Sequence, residues 1–256
     1  AIFKIYKSSY TSRYDNDLVK LQKSRKHQNL ELTDTLSIKL RGGAHSSLAL
    51  DIAKSPPFFF SNDYWNLFNF TRKDIVTIGD KTAYAIAFEQ RESVIEPLYM
   101  GVLYIEMETL AILGAEFEVN PKYISLVTDQ YVVKRNRHFR IRPQRIKYSI
   151  QYNLFDGKYY LSHVRGDLYF KYRQRRSLFY NPFHLFFELM VSSVDNNNVT
   201  KFDRREVEPI ANVFFDNSYE KDHEFWYDFN IIPPEQSIFD ALNQINSKVE
   251  EIIHKN

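Results

Sequence analysis

Residues 98–121, LYMGVLYIEMETLAILGAEFEVNP, constrain the fold of this chain more than any other segment. Apolar and polar side chains alternate on both sides of Met107, Glu108 and Thr109, and this period of two is typical of a strand with one buried face. We therefore predict a β-hairpin over residues 101–119, with its turn at these three residues. Similar alternation recurs along the chain and indicates an antiparallel sheet.

Two more hairpins are predicted where a turn dipeptide separates two alternating segments. Gly79 and Asp80 separate residues 68–78 from residues 81–89, and Asp156 and Gly157 separate residues 145–154 from residues 159–171. Residues 185–194 continue the alternation. We expect the chain to form one strongly bent antiparallel sheet of about ten strands.

Helices are predicted at three places. Apolar residues of the segment 2–20 fall along one side of a helix, and residues 47–53 fit a short helix before a double proline. Ser237 can cap a helix over residues 237–253, whose apolar side chains form one stripe that we expect to pack on the sheet. The sequence therefore predicts N-terminal, middle and C-terminal helices.

The predicted fold class is α+β, with a large curved antiparallel sheet that is half-barrel-like and carries these helices. Residues 122–134 fit a strand by composition and a helix by spacing, so both alternatives stay open there. We expect a single β-rich domain over residues 1–256. Because the chain opens abruptly on AIFKIYKSSY, we also expect it to be a fragment of a longer protein.

Composition excludes several classes of function. A net charge of +2 gives no strong general field for nucleic acid, and no apolar run approaches the roughly 18 residues of a membrane span. The chain has no cysteine, which removes disulfides and thiolate chemistry and suits an oxidising compartment. We expect neither a nucleic-acid partner nor a transmembrane span in this chain.

No catalytic or metal-binding motif stands out. The seven histidines lack the spacing that places two ligands on one face, and the serine-nucleophile motif G-x-S-x-G is missing. Paired carboxylates do occur, and in a strand each pair would share one face. We interpret them as the wet face of half-exposed strands, and we predict no catalytic residue, no metal and no cofactor. These pairs are Glu106 with Glu108, Glu116 with Glu118, and Glu206 with Glu208.

Two basic stretches and the aromatic residues are the remaining candidates for binding. Residues 134–147 and 173–176 are suited to phosphates of nucleic acid or lipid headgroups, but a solvated loop, an edge strand and a turn account for them better. Most aromatic side chains are expected in the core. A groove for an acyl chain, a glycan or a peptide is predicted from four of them: Phe59, Trp65, Tyr99 and Trp226.

A family resemblance covers residues 5–242. It is carried by the segments IYKSSY, DLVKLQKSRK, LRGGA, SLALDIAKSP, YAIAFEQRE, PLYMGVLYIEMETLAILGAEFEVNP, DGKYYLSHVRGDLYF and FWYDFNIIPPEQSIFDAL. Together they resemble the large C-terminal region of envelope proteins of Bacteroidetes-type bacteria, which usually carry an N-terminal carboxypeptidase-regulatory-like domain. The resemblance implies a location in the cell envelope, periplasmic or associated with the outer membrane, and brings no functional residues with it.

The hairpin GVLYIEMETLAILGAEF is also similar to the half-barrel strands of lipoprotein-carrier (Lol-type) proteins, which hold acyl chains in the concavity of a curved sheet. The two resemblances imply a non-enzymatic binding or scaffold module of the bacterial envelope. Its partner would be an acyl chain, another lipid, a lipoprotein or an envelope protein. The alternative hypothesis is a cell-surface glycan-binding module or glycoside hydrolase.

Overall fold

A computed structural model describes residues 1–7, 17–23, 38–40, 44–54, 64–135, 138–197 and 199–208, and these residues are mostly β-strand. The helices are short: α1 (Ala44–Leu48), α2 (Thr128–Tyr131) and two 3₁₀ turns (Trp65–Leu67 and Ile124–Val127). The strands are β1 (Ile2–Tyr6), β2 (Leu18–Lys23), β3 (Ile38–Leu40), β4 (Phe68–Ile78), β5 (Lys81–Gln90), β6 (Tyr99–Glu106), β7 (Ile112–Val119), β8 (Val132–Arg135), β9 (Phe139–Phe155), β10 (Lys158–Gln174) and β11 (Asn181–Met190).

Seven strands form one antiparallel sheet in the order β11-β10-β9-β7-β6-β5-β4. The order along the chain equals the order in space, apart from β8, which leaves the sheet to pair with β3. A second pair, β1 with β2, completes the described strands. The large sheet is therefore a meander, in which each strand pairs with a close neighbour in sequence.

One face of the large sheet forms the core. Directly opposite residues of antiparallel strands point to the same face, so the strand registers define rows of side chains across the sheet. Residues of β1, β2 and α1, among them Val19 and Leu48, belong to the same buried cluster. One such row consists of Ile86, Leu103, Ala115, Ile150, Val164 and Leu189.

The next row of the same face combines two glycines with four aromatic residues. A Cβ atom at Gly101 would lie 2.1 Å from the carbonyl oxygen of Glu116, and one at Gly166 would lie 2.4 Å from the ring of Phe187. Glycine at these two positions therefore makes room for the neighbouring strand and for its aromatic ring. The full row is Phe88, Gly101, Phe117, Tyr148, Gly166 and Phe187.

Side chains connect strands that are not neighbours at one end of the sheet. The hydroxyl of Tyr159, at the start of β10, donates a 3.0 Å hydrogen bond to Oε2 of Glu106, at the end of β6. These strands are three positions apart in the sheet, which is about 14 Å when the strands lie flat at 4.7–4.9 Å spacing.

The predicted hairpins are confirmed, including the one over residues 101–119, which β6 and β7 form. Gly79, Asp156 and Gly157 have positive φ values of 60°, 47° and 72°, as tight hairpin turns require. The expectation of about ten strands in one sheet is wrong. Seven strands share the large sheet, and the remaining described strands form two separate pairs.

The N-terminal helix predicted over residues 2–20 is wrong, because β1 and β2 occupy its described ends and Ile5 pairs with Val19. The segment IFKIY is rich in β-branched and aromatic residues, and its few apolar positions fit a strand as well as one helical turn. The short middle helix lies at Ala44–Leu48, earlier than residues 47–53. Residues 122–134 contain both alternatives, and the helix predicted over residues 237–253 lies outside the described residues.

The burial of the core row predicts that truncating two leucines will have very different effects on the free energy of unfolding. Leu103 lies in that row with 2% of its surface exposed, whereas Leu154, near the end of β9, is 51% exposed. Leu103→Ala should lower the free energy of unfolding by about 2–5 kcal/mol, and Leu154→Ala should change it by less than about 0.5 kcal/mol. Urea unfolding of the two variants measures the difference, and equal losses would contradict the assigned burial of Leu103.

Candidate functional site

Of the four aromatic residues predicted to line a groove, two lie within the described residues, and they are not in contact. Tyr99 is packed in the core, with its ring edge-on to Phe117 at 5.3 Å. Burial, followed by the proximity of Tyr131, raises the pKa of the Tyr99 hydroxyl above its ordinary value. Trp65 lies in the 3₁₀ turn before β4 and is 52% exposed. Phe59 and Trp226 lie outside the described residues, so a groove that includes them stays a prediction.

The paired carboxylates of β7 form cross-strand ion pairs with β9. Glu116 accepts a 2.9 Å hydrogen bond from Nζ of Lys147, and Glu118 accepts two bonds from the Arg145 guanidinium, at 2.5 and 3.3 Å. All four side chains share the face of the sheet opposite the core. Glu116 and Glu118 therefore have the charge partners that a half-exposed strand pair provides.

The same face continues onto β10 and β11 with further paired charges. Arg165 donates two hydrogen bonds to Asp167, at 2.8 and 3.0 Å, and His184 lies 2.9 Å from the same carboxylate. Glu188 lies 2.7 Å from Nε2 of the buried His163. Burial alone would raise the pKa of Asp167, but the hydrogen bonds and charges of Arg165 and His184 outweigh it and hold that pKa below its ordinary value.

At one end of this face the charges are no longer balanced. The register of β9 and β10 places Arg142 directly opposite Lys171 and Arg140 directly opposite Arg173. Like charges that face each other across two strands destabilise a sheet. Among the residues that the structure describes, no carboxylate forms an ion pair with any of the four. We call these four residues the basic end.

Tyr180, just before β11, lies at the centre of the basic end. The charged groups of Arg142, Lys171 and Arg173 lie over its ring, at 5.5, 5.3 and 4.9 Å from the centroid. Cation–π attraction offsets part of the repulsion between these cations. The hydroxyl of Tyr180 and Nε of Arg173 are buried, and neither has a hydrogen-bond partner within the described part of the chain. The cluster thus combines excess positive charge with unused hydrogen-bonding groups.

An open depression of about 560 Å³ lies beside the basic end. Its lining mixes Arg142 with the carboxylate of Asp129 and the hydroxyls of Ser125 and Thr128. Because Asp129 opposes an anion there, the depression does not extend the positive surface.

The sequence analysis identifies basic stretches on both strands that form the basic end, but it does not predict that their charges lie opposite each other. The loop and edge strand predicted over residues 134–147 are confirmed in part, because residues 139–146 pair only with β10 among the described strands. From Phe139 onward the stretch belongs to β9, which lies between β7 and β10, although β7 pairs with it only as far as Lys147. Its charged residues are exposed because they occupy the outer face of that strand. Counting outward from the turn at Asp156 and Gly157 would have placed Arg142 opposite Lys171.

Comparisons of the chain with protein-family models, curated proteins and solved structures find no match. The resemblance to envelope proteins therefore stays a prediction. Within the described ranges there is no group of three or more His, Asp or Glu side chains that could hold a metal ion. None of the described helices combines the length and the apolar character needed to cross a membrane.

The hydrogen bonds and charges around Asp167 predict that the stability of the fold depends on pH. Because the pKa of Asp167 is held below its ordinary value of 3.8, this carboxylate stabilises the fold above that pH, and the stabilisation is lost as the pH falls through the lowered pKa. Asp167→Asn should be less stable than the wild type at neutral pH, and the difference should shrink below about pH 4. Urea unfolding between neutral pH and about pH 3 measures it. A difference that stays constant with pH would contradict the assignment.

Proposed function

We propose that the chain is a non-enzymatic binding module, and that the basic end binds a ligand carrying phosphate or a similar oxyanion. The observation that carries this proposal is the placement of like charges directly opposite each other, Arg142 with Lys171 and Arg140 with Arg173. Elsewhere on the same face, the cations Lys147 and Arg145 are matched by the carboxylates of Glu116 and Glu118.

The energetics support an anionic ligand. Like charges directly opposite in a sheet cost free energy in the unbound protein, and an oxyanion between them converts that repulsion into attraction. Arginine binds oxyanions through charge-assisted and often bidentate hydrogen bonds. Arg173 has a buried Nε donor without an acceptor among the described residues. The site thus lacks a negative charge, and a phosphate group supplies it.

The other expected functions have less support. An acyl chain in the concavity of a half-barrel needs room on the core face, but Phe88, Phe117 and Tyr148 fill that face with their own rings. A glycoside hydrolase needs two carboxylates free to act as acid and base or nucleophile. Glu116 and Glu118 are instead engaged with cations of β9. A half-barrel curvature and a location in the bacterial envelope remain part of the proposal, the latter resting on the resemblance of the sequence.

Binding of tripolyphosphate, measured by isothermal titration calorimetry at low salt, tests the proposal. The double variant Arg142→Gln/Lys171→Gln should bind it at least about tenfold more weakly, since charge-assisted hydrogen bonds are worth about 1.5–3 kcal/mol each. The matched control is Arg145→Gln/Lys147→Gln, which removes the same charge from the same face. Its affinity should stay within about threefold of the wild type, because Arg145 and Lys147 are already paired with the carboxylates of Glu118 and Glu116.

Two results would contradict the proposal. If both double variants lost affinity equally, the anion would be responding to net charge and not to the basic end. If neither variant lost affinity, the anion would bind elsewhere on the chain. Circular dichroism of all the variants confirms that each one is folded.

A further inference from the structure

The loop between β10 and β11, residues 175–180, has a defined conformation beside the basic end. Its first turn is closed by hydrogen bonds from the Arg175 amide to the carbonyl of His138, at 2.8 Å, and from the Ser177 amide to the carbonyl of Gln174, at 2.9 Å. The Ser177 hydroxyl oxygen then accepts a 3.2 Å hydrogen bond from the amide of Phe179. The tip of the loop is therefore held in place by hydrogen bonds within the loop and to His138.

This held tip presents two large apolar side chains to solvent. Leu178 is 84% exposed and Phe179 is 78% exposed, more than any other large apolar residue of the described chain. Single exposed apolar residues are ordinary, but two adjacent ones at a loop tip indicate a contact surface. Phe186 on β11 is also exposed and lies on the same outer face as Asp167.

Positive charge surrounds the apolar tip. Arg175 and Arg176 precede it in the loop and are exposed, and the basic end lies behind it on the sheet. Tyr180 follows the tip and joins it to the basic end through its contact with Arg173. From the tip inward, the side chains are thus first aliphatic and aromatic, and then tyrosine and arginine. Proteins that bind a membrane surface show the same order: apolar side chains enter the acyl region, and aromatic and basic side chains lie at the depth of the headgroups.

We infer that residues 175–180 dock the protein onto the surface of an anionic lipid bilayer. Leu178 and Phe179 enter the boundary of the acyl chains, and the basic end binds headgroup phosphates. This inference rests on the proposed function, because the same basic end supplies the phosphate contacts. It identifies the lipid headgroup as the source of the phosphate, and it gives the two apolar residues a role.

A bilayer fits these observations better than a soluble polyanion does. A free phosphate compound gains nothing from an exposed leucine. A single-stranded nucleic acid binds through open aromatic faces, on which its bases stack. On this face Tyr169 and His184 already stack on each other, with centroids 4.2 Å apart. The residues that remain exposed at the tip, Leu178 and Phe179, are suited to hydrocarbon.

Flotation with vesicles tests the inference. The wild type should float with vesicles of phosphatidylcholine containing about 30% phosphatidylglycerol at about 0.1 M salt, and should not float with phosphatidylcholine alone. The variant Leu178→Ser/Phe179→Ser should bind the anionic vesicles at least about tenfold more weakly. It should still bind tripolyphosphate with the affinity of the wild type, because its basic end is intact. Arg142→Gln/Lys171→Gln should lose both kinds of binding.

Three results would overturn the inference. The first is unchanged flotation of the Leu178→Ser/Phe179→Ser variant, which would mean that the tip does not insert. The second is a wild type that binds tripolyphosphate but not anionic vesicles, which would leave the proposed anion site intact and remove the bilayer. The third is tighter binding to a single-stranded oligonucleotide than to vesicles at equal phosphate concentration, which would make nucleic acid the partner. A failure to bind tripolyphosphate would instead contradict the proposed function itself.

Discussion

The pairing of β9 with β10 determines both the core and the candidate site. Each strand has 17 residues, and the two-residue turn at Asp156 and Gly157 joins them. One face of this pair carries Ile146, Ile150 and Val164, which are almost fully buried in the core. The same register fixes the opposite face, because successive side chains of a strand alternate between faces. A slip of one residue would therefore expose the core and bury the charges.

That register includes two irregularities which cancel. One lies between Leu161 and His163 of β10, and the other lies between Tyr169 and Phe170. Beyond the second one, Arg142 faces Lys171 as it would in a regular hairpin counted from the turn. The protein thus keeps like charges in register at one end of the sheet while it matches opposite charges in the middle. Proteins often depart from the charge pairing that stabilises a fold at the residues they use for function.

The parts of the fold with a strong local signal were predictable from the sequence. Gly79 and Gly157 mark two of the hairpins, and alternation marks the strands on either side. The N-terminal strands were mistaken for a helix because a five-residue segment such as Ile2–Tyr6 is too short to separate the two periods. Tyr99 was assigned to a groove because alternation identifies a face without saying what covers it. The basic end could not be predicted from charges considered along the chain, because its cations meet across the hairpin. The hydrogen-bonded conformation of the loop at residues 175–180 has no sequence signal as strong as the turn glycines.

The most direct test of this account is the stability of the variant Arg142→Glu. It replaces a like-charge pair with an ion pair opposite Lys171, so the account predicts a free energy of unfolding a few tenths to about 1 kcal/mol above that of the wild type at low salt. The gain should shrink as salt is added. Arg145→Glu, which removes the cation paired with Glu118 and brings a second carboxylate close to it, should be destabilising instead. A loss of stability in Arg142→Glu comparable to that in Arg145→Glu would contradict the claim that the basic end is kept at a cost to the fold.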